Sequence, residues 1–173
     1  MRLLLVSDLH YSLPLFDWVA GVAANFEVVV MAGDHLDLAS LVDGRAQATV
    51  VRKYFDRIRA KTKLLVCSGN HDLDSKNEAG EWMARWLLGR RNDGVLSDGE
   101  STKIGDILFT VCPWWDGPVS QAEIGRQLAT AAKDRRGRWI WLYHAPPSKS
   151  PIAWSGQRYF GDDALLRWID EYK

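Results

Sequence analysis

Along its first half the chain alternates short apolar runs with stretches of helical periodicity. Arg2 to Ser7 predicts a buried strand, and Glu27 to Ala32 a second one. Between them Leu15, Trp18, Val19, Val22 and Phe26 recur at three- and four-residue spacing, the stripe of an amphipathic helix. Strand, helix and strand at this length make a unit whose two strands lie parallel as neighbours. Arg45 to Ala60 predicts another helix, with Val50, Val51, Tyr54, Phe55 and Ile58 inward, and Leu64 to Cys67 a third strand. Trp82, Met83, Trp86 and Leu87 predict a further helix.

After residue 94 the pattern changes. Two apolar runs flank turn-rich pieces at Ser97 to Ser101 and Gly105-Asp106, which predicts antiparallel strands. Ser120 to Glu123 reads as a capping box opening a helix with Ile124 and Leu128 on one face. Arg138 to His144 is another buried strand, followed by a loop containing Pro146, Pro147 and Pro151. Asp162 or Asp163 then opens a last helix carrying Leu165, Leu166, Trp168 and Ile169. The expected class is α/β, in one domain over residues 1–173, with no internal repeat.

Composition narrows the possible roles. Apolar residues form 47% of the 173 and charged residues 25%, as in water-soluble globular domains. Lys+Arg and Asp+Glu balance at 22 each, so no overall basic field favours nucleic acid. No apolar run is long enough to cross a membrane, and the first residues lack the pattern of a signal peptide. A cytoplasmic protein with Cys67 and Cys112 as buried free thiols is the expectation.

The chemistry lies where the strands end. The first stops at Asp8-Leu9-His10, the second at Gly33-Asp34-His35-Leu36-Asp37, the third at Gly69-Asn70-His71-Asp72, and a later one at His144. In an open α/β sheet the carboxyl ends of parallel strands share one edge, and ligands bind in the crevice there. Asp8, His10, Asp34, Asn70, His71 and His144 are therefore expected to converge. Carboxylates and imidazoles crowded together need positive charge among them, which divalent cations supply. Oxygen and imidazole ligands without thiolate suit Mn²⁺, Fe, Zn²⁺ or Ni²⁺, and so many ligands suggest two ions. His35 has no such assignment and reads as a loop residue.

In order, "DLH", "GDHLD", "GNHD" and a later single His resemble the calcineurin-like metallophosphoesterases, whose pattern is D-x-H, G-D-x-x-D, G-N-H-[DE], H and G-H-x-H. The resemblance covers Asp8 to His144. It implies a two-sheet β sandwich flanked by helices, a four-layer αββα fold with mixed sheets. It further implies that Asp8 and His10 bind one metal, that Asp34 bridges both, and that Asn70 and His144 bind the second. His71 would act on the substrate as a catalytic imidazole, Asp72 would hold His71, and Asp37 would support the ligands from behind. The activity implied is hydrolysis of a small-molecule phosphoester at a dinuclear centre, by an activated bridging water; a scaffold on the same fold and a nuclease are the alternatives. Nothing like G-H-x-H follows His144, and from this the natural chain is expected to continue past Lys173. Trp114, Trp115, Trp154 and Tyr159 are candidates either for a substrate pocket or for packing, and Lys149 and Arg158 for phosphate contacts or solvated charges.

Overall fold

A computed structural model describes residues 1–88 and 94–173. Strands β1 (Leu3–Val6), β2 (Val28–Ala32), β3 (Lys63–Cys67) and β6 (Val95–Leu96) form a parallel sheet in the order β1-β2-β3-β6. Leu3 pairs with Val28 and Val28 with Lys63, so the first two crossovers are the units expected from the pattern. Strands β7 (Ser101–Ile104), β8 (Ile107–Val111) and β9 (Arg138–Leu142) form a mixed sheet, with β7 antiparallel and β9 parallel to β8. The antiparallel hairpin expected after residue 94 is thus β7–β8, whereas Val95-Leu96 joins the first sheet, parallel to β3.

Alternation within the strands decides which layer each residue faces. Val29, Met31, Leu64 and Val66 point to one side of the first sheet. There they pack on α1 (Leu13–Val22) and α2 (Gly44–Arg59), through Phe16, Val19, Val51, Phe55 and Ile58. Val28, Val30, Leu65 and Cys67 point the other way and meet Ile107, Phe109, Val111 and Leu142 of the second sheet. The outer side of that sheet carries Trp139 and Trp141, against α3 (Pro118–Asp134) and the Tyr172 end of α4 (Asp163–Tyr172). Helix, sheet, sheet and helix are therefore stacked as the four-layer expectation required. Cys67 and Cys112 are buried free thiols. Among the described residues no helix is long and apolar enough to cross a membrane.

Three sequence expectations need correction. In α1 the buried side chains are Phe16, Val19 and Ala20, while Leu15 and Trp18 are exposed, and the turn Ala23–Asn25 closes the helix before Phe26. Trp82 to Leu87 is not a helix. It consists of β5 (Trp82–Met83), paired with β4 (Ser75–Lys76), and a 3-10 turn at Arg85–Leu87. Distant partners take its backbone groups: Asp74 N–H donates to Met83 O, Trp82 N–H to Asp116 and Arg85 N–H to Asp74. Ser120 is not the first residue of its helix either. Helix α3 begins at Pro118, whose missing N–H costs nothing in the first turn. The carboxylate of Glu81 accepts from Val119 and Ser120 N–H, at 2.8 and 2.7 Å, and so performs the capping.

Candidate metal centre

Three loops at the carboxyl end of the first sheet carry Asp8, His10, Asp34, Asn70 and His71, and His144 comes from the end of β9 in the second sheet. The loop after β1 is tied to the loop after β2 by three backbone hydrogen bonds: Asp8 N–H to Gly33 O, His10 N–H to Asp34 O and Tyr11 N–H to His35 O, at 3.1, 2.9 and 2.9 Å. These bonds hold Asp8, His10 and Asp34 at φ of 56°, 40° and 54°. Left-handed backbone at a side chain other than glycine costs on the order of 1–3 kcal/mol and persists where its surroundings over-determine it. Gly33 is needed for a different reason. At φ +83°, a Cβ there would stand 2.5 Å from His144 Nδ1.

The loop after β3 is locked to the same frame. Asp72 is fully buried; its Oδ1 accepts from His35 and Leu36 N–H at 2.9 and 3.1 Å, and its Oδ2 from Gly69 N–H at 2.9 Å. His71 N–H donates to Asp34 Oδ1 at 3.0 Å. A Cβ on Gly69 would collide with that oxygen, so the close approach requires glycine. Behind the loop Ser68 N–H donates to Asp98 at 2.9 Å, and Trp114 N–H to Ser68 Oγ at 2.8 Å.

Asp34 Oδ2 is the centre of the arrangement. It faces the Nε2 atoms of His144, His10 and His71 at 3.4, 3.7 and 4.0 Å. Only the shortest, to His144, is within reach of a hydrogen bond, and it is a long one. Two ligand atoms that share an ion at about 2.0–2.2 Å stand roughly 3–3.5 Å apart, which is closer to what is seen. Ligand atoms of Asp8, Asp34 and His144 lie within 4.8 Å of one another, as do those of His10, Asp37 and His71. His144 Nδ1 donates to Ala32 O at 2.8 Å, so Nε2 is the ring atom that faces Asp34 and would face an ion. Burial would lower the His144 pKa, but hydrogen bonds to Asp34 and Ala32 O and the charges of Asp34 and Asp8 push it up to about 9. Burial would likewise raise that of Asp34; the His144 and His71 hydrogen bonds and charges outweigh it and hold the carboxyl below the usual range. The pocket thus attracts positive charge, and its donor set fits divalent cations.

The structure brings Asp8, His10, Asp34, His71 and His144 together, and Asn70 borders the same cavity as Asp8 and His144. Asp37 comes within ligand reach of His10 and His71 rather than standing behind them. Asp72 does something other than expected. Its oxygens bind backbone N–H groups, and His71 Nδ1 is buried without a hydrogen-bond partner. His35 is no loose loop residue: it is completely buried, donates from Nε2 to Cys67 O at 3.0 Å and meets Phe55 and Trp86 edge-on. Its setting in the helix-side core had no periodic signal in sequence. Nor did the Ser68–Asp98 contact, because Asp98 reads as ordinary turn chemistry. Trp114 and Trp115 line the cavity beside His144, whereas Trp154 and Tyr159 pair with each other on the surface away from it. Lys149 and Arg158 do not line that cavity either.

Four layers, with carboxylates and imidazoles gathered where the strands end, define a metallophosphoesterase fold. The chain belongs to the calcineurin-like phosphoesterase family, whose profile matches residues 1–173. Among solved structures it is similar to TT1561 of Thermus thermophilus, at TM-score 0.69 and 13% identity, covering 99% of this chain and 77% of that one. It is also similar to the purple acid phosphatase PPD1 from yellow lupin seeds, at TM-score 0.59 and 15% identity, covering 99% of this chain and 36% of that one. At such identities the likeness concerns the fold. No curated protein matches the chain in sequence.

Proposed function

We propose that this protein hydrolyses phosphate esters of small molecules with two divalent cations, Mn²⁺, Fe, Zn²⁺ or Ni²⁺, held by Asp8, His10, Asp34, Asn70 and His144. The observation that carries the reading is one carboxylate oxygen, Asp34 Oδ2, facing three imidazole nitrogens at 3.4–4.0 Å. Bound there, the cations supply Lewis acidity toward the phosphoryl oxygens and toward water. Asp34, only 4% exposed and facing three imidazoles, would serve both ions. The hydrogen bond to Ala32 O fixes the ring of His144 and its tautomer. His71 is partly exposed and would donate its proton to the departing alkoxide, a step that contributes on the order of 10²–10⁴-fold. No serine or cysteine nucleophile is required, and both cysteines are buried with their thiols pushed up in pKa by burial.

The test is hydrolysis of bis(p-nitrophenyl) phosphate by chelator-treated protein reloaded with each metal in turn, with metal content measured alongside. Activity that appears only with metal and tracks its content supports the reading. Full activity after chelation, or metal bound without any turnover, overturns it.

A further inference from the structure

The two sheets meet through apolar side chains, Val28, Val30 and Leu65 on one and Ile107, Phe109 and Leu142 on the other. Such contact is non-directional and does not by itself fix how one sheet sits along the other. The candidate ligands come from both. Asp8, His10, Asp34 and Asn70 follow strands of the first sheet, and His144 follows β9 of the second. An ion held from both sides needs a directional link to set their spacing. The bond from His144 Nδ1 to Ala32 O crosses between the sheets, but one bond fixes only one point of the ring.

A second directional link joins the same two groups of ligands. Asp98 sits where the chain passes from β6 of the first sheet to β7 of the second. That turn is tied to the end of β8: Gly99 N–H donates to Val111 O and Val111 N–H to Glu100 O, each at 2.9 Å. Asp98 Oδ1 accepts from Ser68 N–H at 2.9 Å, and Ser68 Oγ accepts from Trp114 N–H at 2.8 Å. Ser68 opens the loop that carries Asn70 and His71. Trp114 stacks on Tyr143, with centroids 6.4 Å apart, and stands edge-on to His144 at 5.8 Å. Cys112 N–H donates to Leu142 O at 2.9 Å, so the stretch after β8 is joined to the end of β9. A path from Asn70 to His144 thus runs through Ser68, with Asp98 clamping it from behind. Ser68 and Asp98 are both buried. A carboxylate is a costly choice there: burial and the charges of Asp72 and Glu100 oppose its ionised form, and the Ser68 hydrogen bonds favour it. Filling the space needs only an apolar side chain, so the use of the carboxylate is the bond it accepts.

We propose that Asp98 and Ser68 are positioning residues: they set the separation between Asn70 and His144, and so complete the site of the ion that takes ligands from both sheets. This rests on the dinuclear reading above and deepens it. The other ion, held by Asp8, His10 and Asp34, draws on the first sheet alone, and the main-chain bonds between the loops after β1 and β2 hold its ligands. The two ions therefore respond differently when the link is cut, whereas a general loss of stability weakens both together. Changing a residue that orients a ligand typically costs about 10–100-fold in metal affinity.

The experiment is a Mn²⁺ titration of the chelator-treated full chain, which yields a dissociation constant for each ion; Asn70→Ala identifies the constant that belongs to the ion held from both sheets. Ser68→Ala removes the acceptor of Trp114 N–H, and Asp98→Leu that of Ser68 N–H. In both variants that constant is expected to rise about 10–100-fold while the other changes less than about twofold. Asp98→Asn retains an oxygen for Ser68 N–H and is expected to stay close to the parent in both. A second readout needs no metal. In the chelator-treated Ser68→Ala and Asp98→Leu chains, deuterium exchange is expected to speed up from Ser68 to Asp72 and from Cys112 to Trp115. From Asp8 to Tyr11 and from Gly33 to Leu36 it stays as in the parent. Ser68→Ala, which adds no bulk, serves both readouts if Asp98→Leu does not fold. Equal shifts in both constants, no shift in either, or faster exchange throughout the chain overturns the inference. A parent chain that binds fewer than two ions, with the local exchange pattern as expected, sinks the dinuclear reading instead and leaves Asp98 and Ser68 as the link that positions Asn70 against His144.

Discussion

Asp34 is enclosed by groups that each need it in a different way. His71 N–H holds one of its oxygens, and three rings face the other. Under the proposed dinuclear centre, changing it should affect both ions at once. Asp34→Asn is expected to lose more bound metal than His10→Ala, measured by elemental analysis of the purified variants; equal losses would count against a shared carboxylate. His71 is the contrasting case. Its ring stands 4.6 Å from that of His10, edge-on, and its Nε2 is the farthest of the three from Asp34 Oδ2. His71→Ala is expected to keep nearly all its metal while kcat falls about 10²-fold or more. Stoichiometric loss of metal in that variant would make His71 a ligand, with His10 and Asp37 as its companions.

Elements show what a sequence reveals and what it hides. The strands were legible because burial on both faces forces runs such as Val28-Val29-Val30, and α2 because Val51, Tyr54, Phe55 and Ile58 keep a strict helical stripe. The convergence of Asp8, His10, Asp34, His71 and His144 was legible because polar, chemically capable side chains at four strand termini are hard to explain by packing. Trp82, Met83, Trp86 and Leu87 imitate a helix, but Asp74 and Asp116 hold the segment open from a distance, and no local pattern records such bonds. The role of Asp72 was hidden likewise, since the N–H groups it binds lie on two separate loops.

One further element-scale consequence concerns the turn before β7. Burial pushes the Asp98 carboxyl up to about 7, against the Ser68 hydrogen bonds that lower it. Its folded-state pKa is thus above the unfolded value of about 3.9. Between those two values the folded chain binds more protons than the unfolded chain, so stability declines as pH rises from about 4 to about 7. Asp98→Asn, which retains an oxygen for Ser68 N–H, is expected to flatten that decline in urea denaturation series at stepped pH. An unchanged slope would place the pH dependence elsewhere.

For the molecule as a whole, the three bonds that join the loops after β1 and β2 have a thermodynamic meaning. Because these main-chain bonds position the candidate ligands Asp8, His10 and Asp34, metal uptake should order little polypeptide. Its free energy then adds to folding stability by mass action, about 2.7 kcal/mol when free metal is a hundred times its dissociation constant. Chelation is expected to lower the melting temperature reversibly while far-ultraviolet circular dichroism at 25 °C stays the same. Loss of ellipticity on chelation would mean that the ions build the loops. If the spectrum holds, the demetallated protein is a rigid receptacle: exchanging one cation for another becomes a contest of ligand-field preference and availability, with the entropy of the chain left out of the comparison.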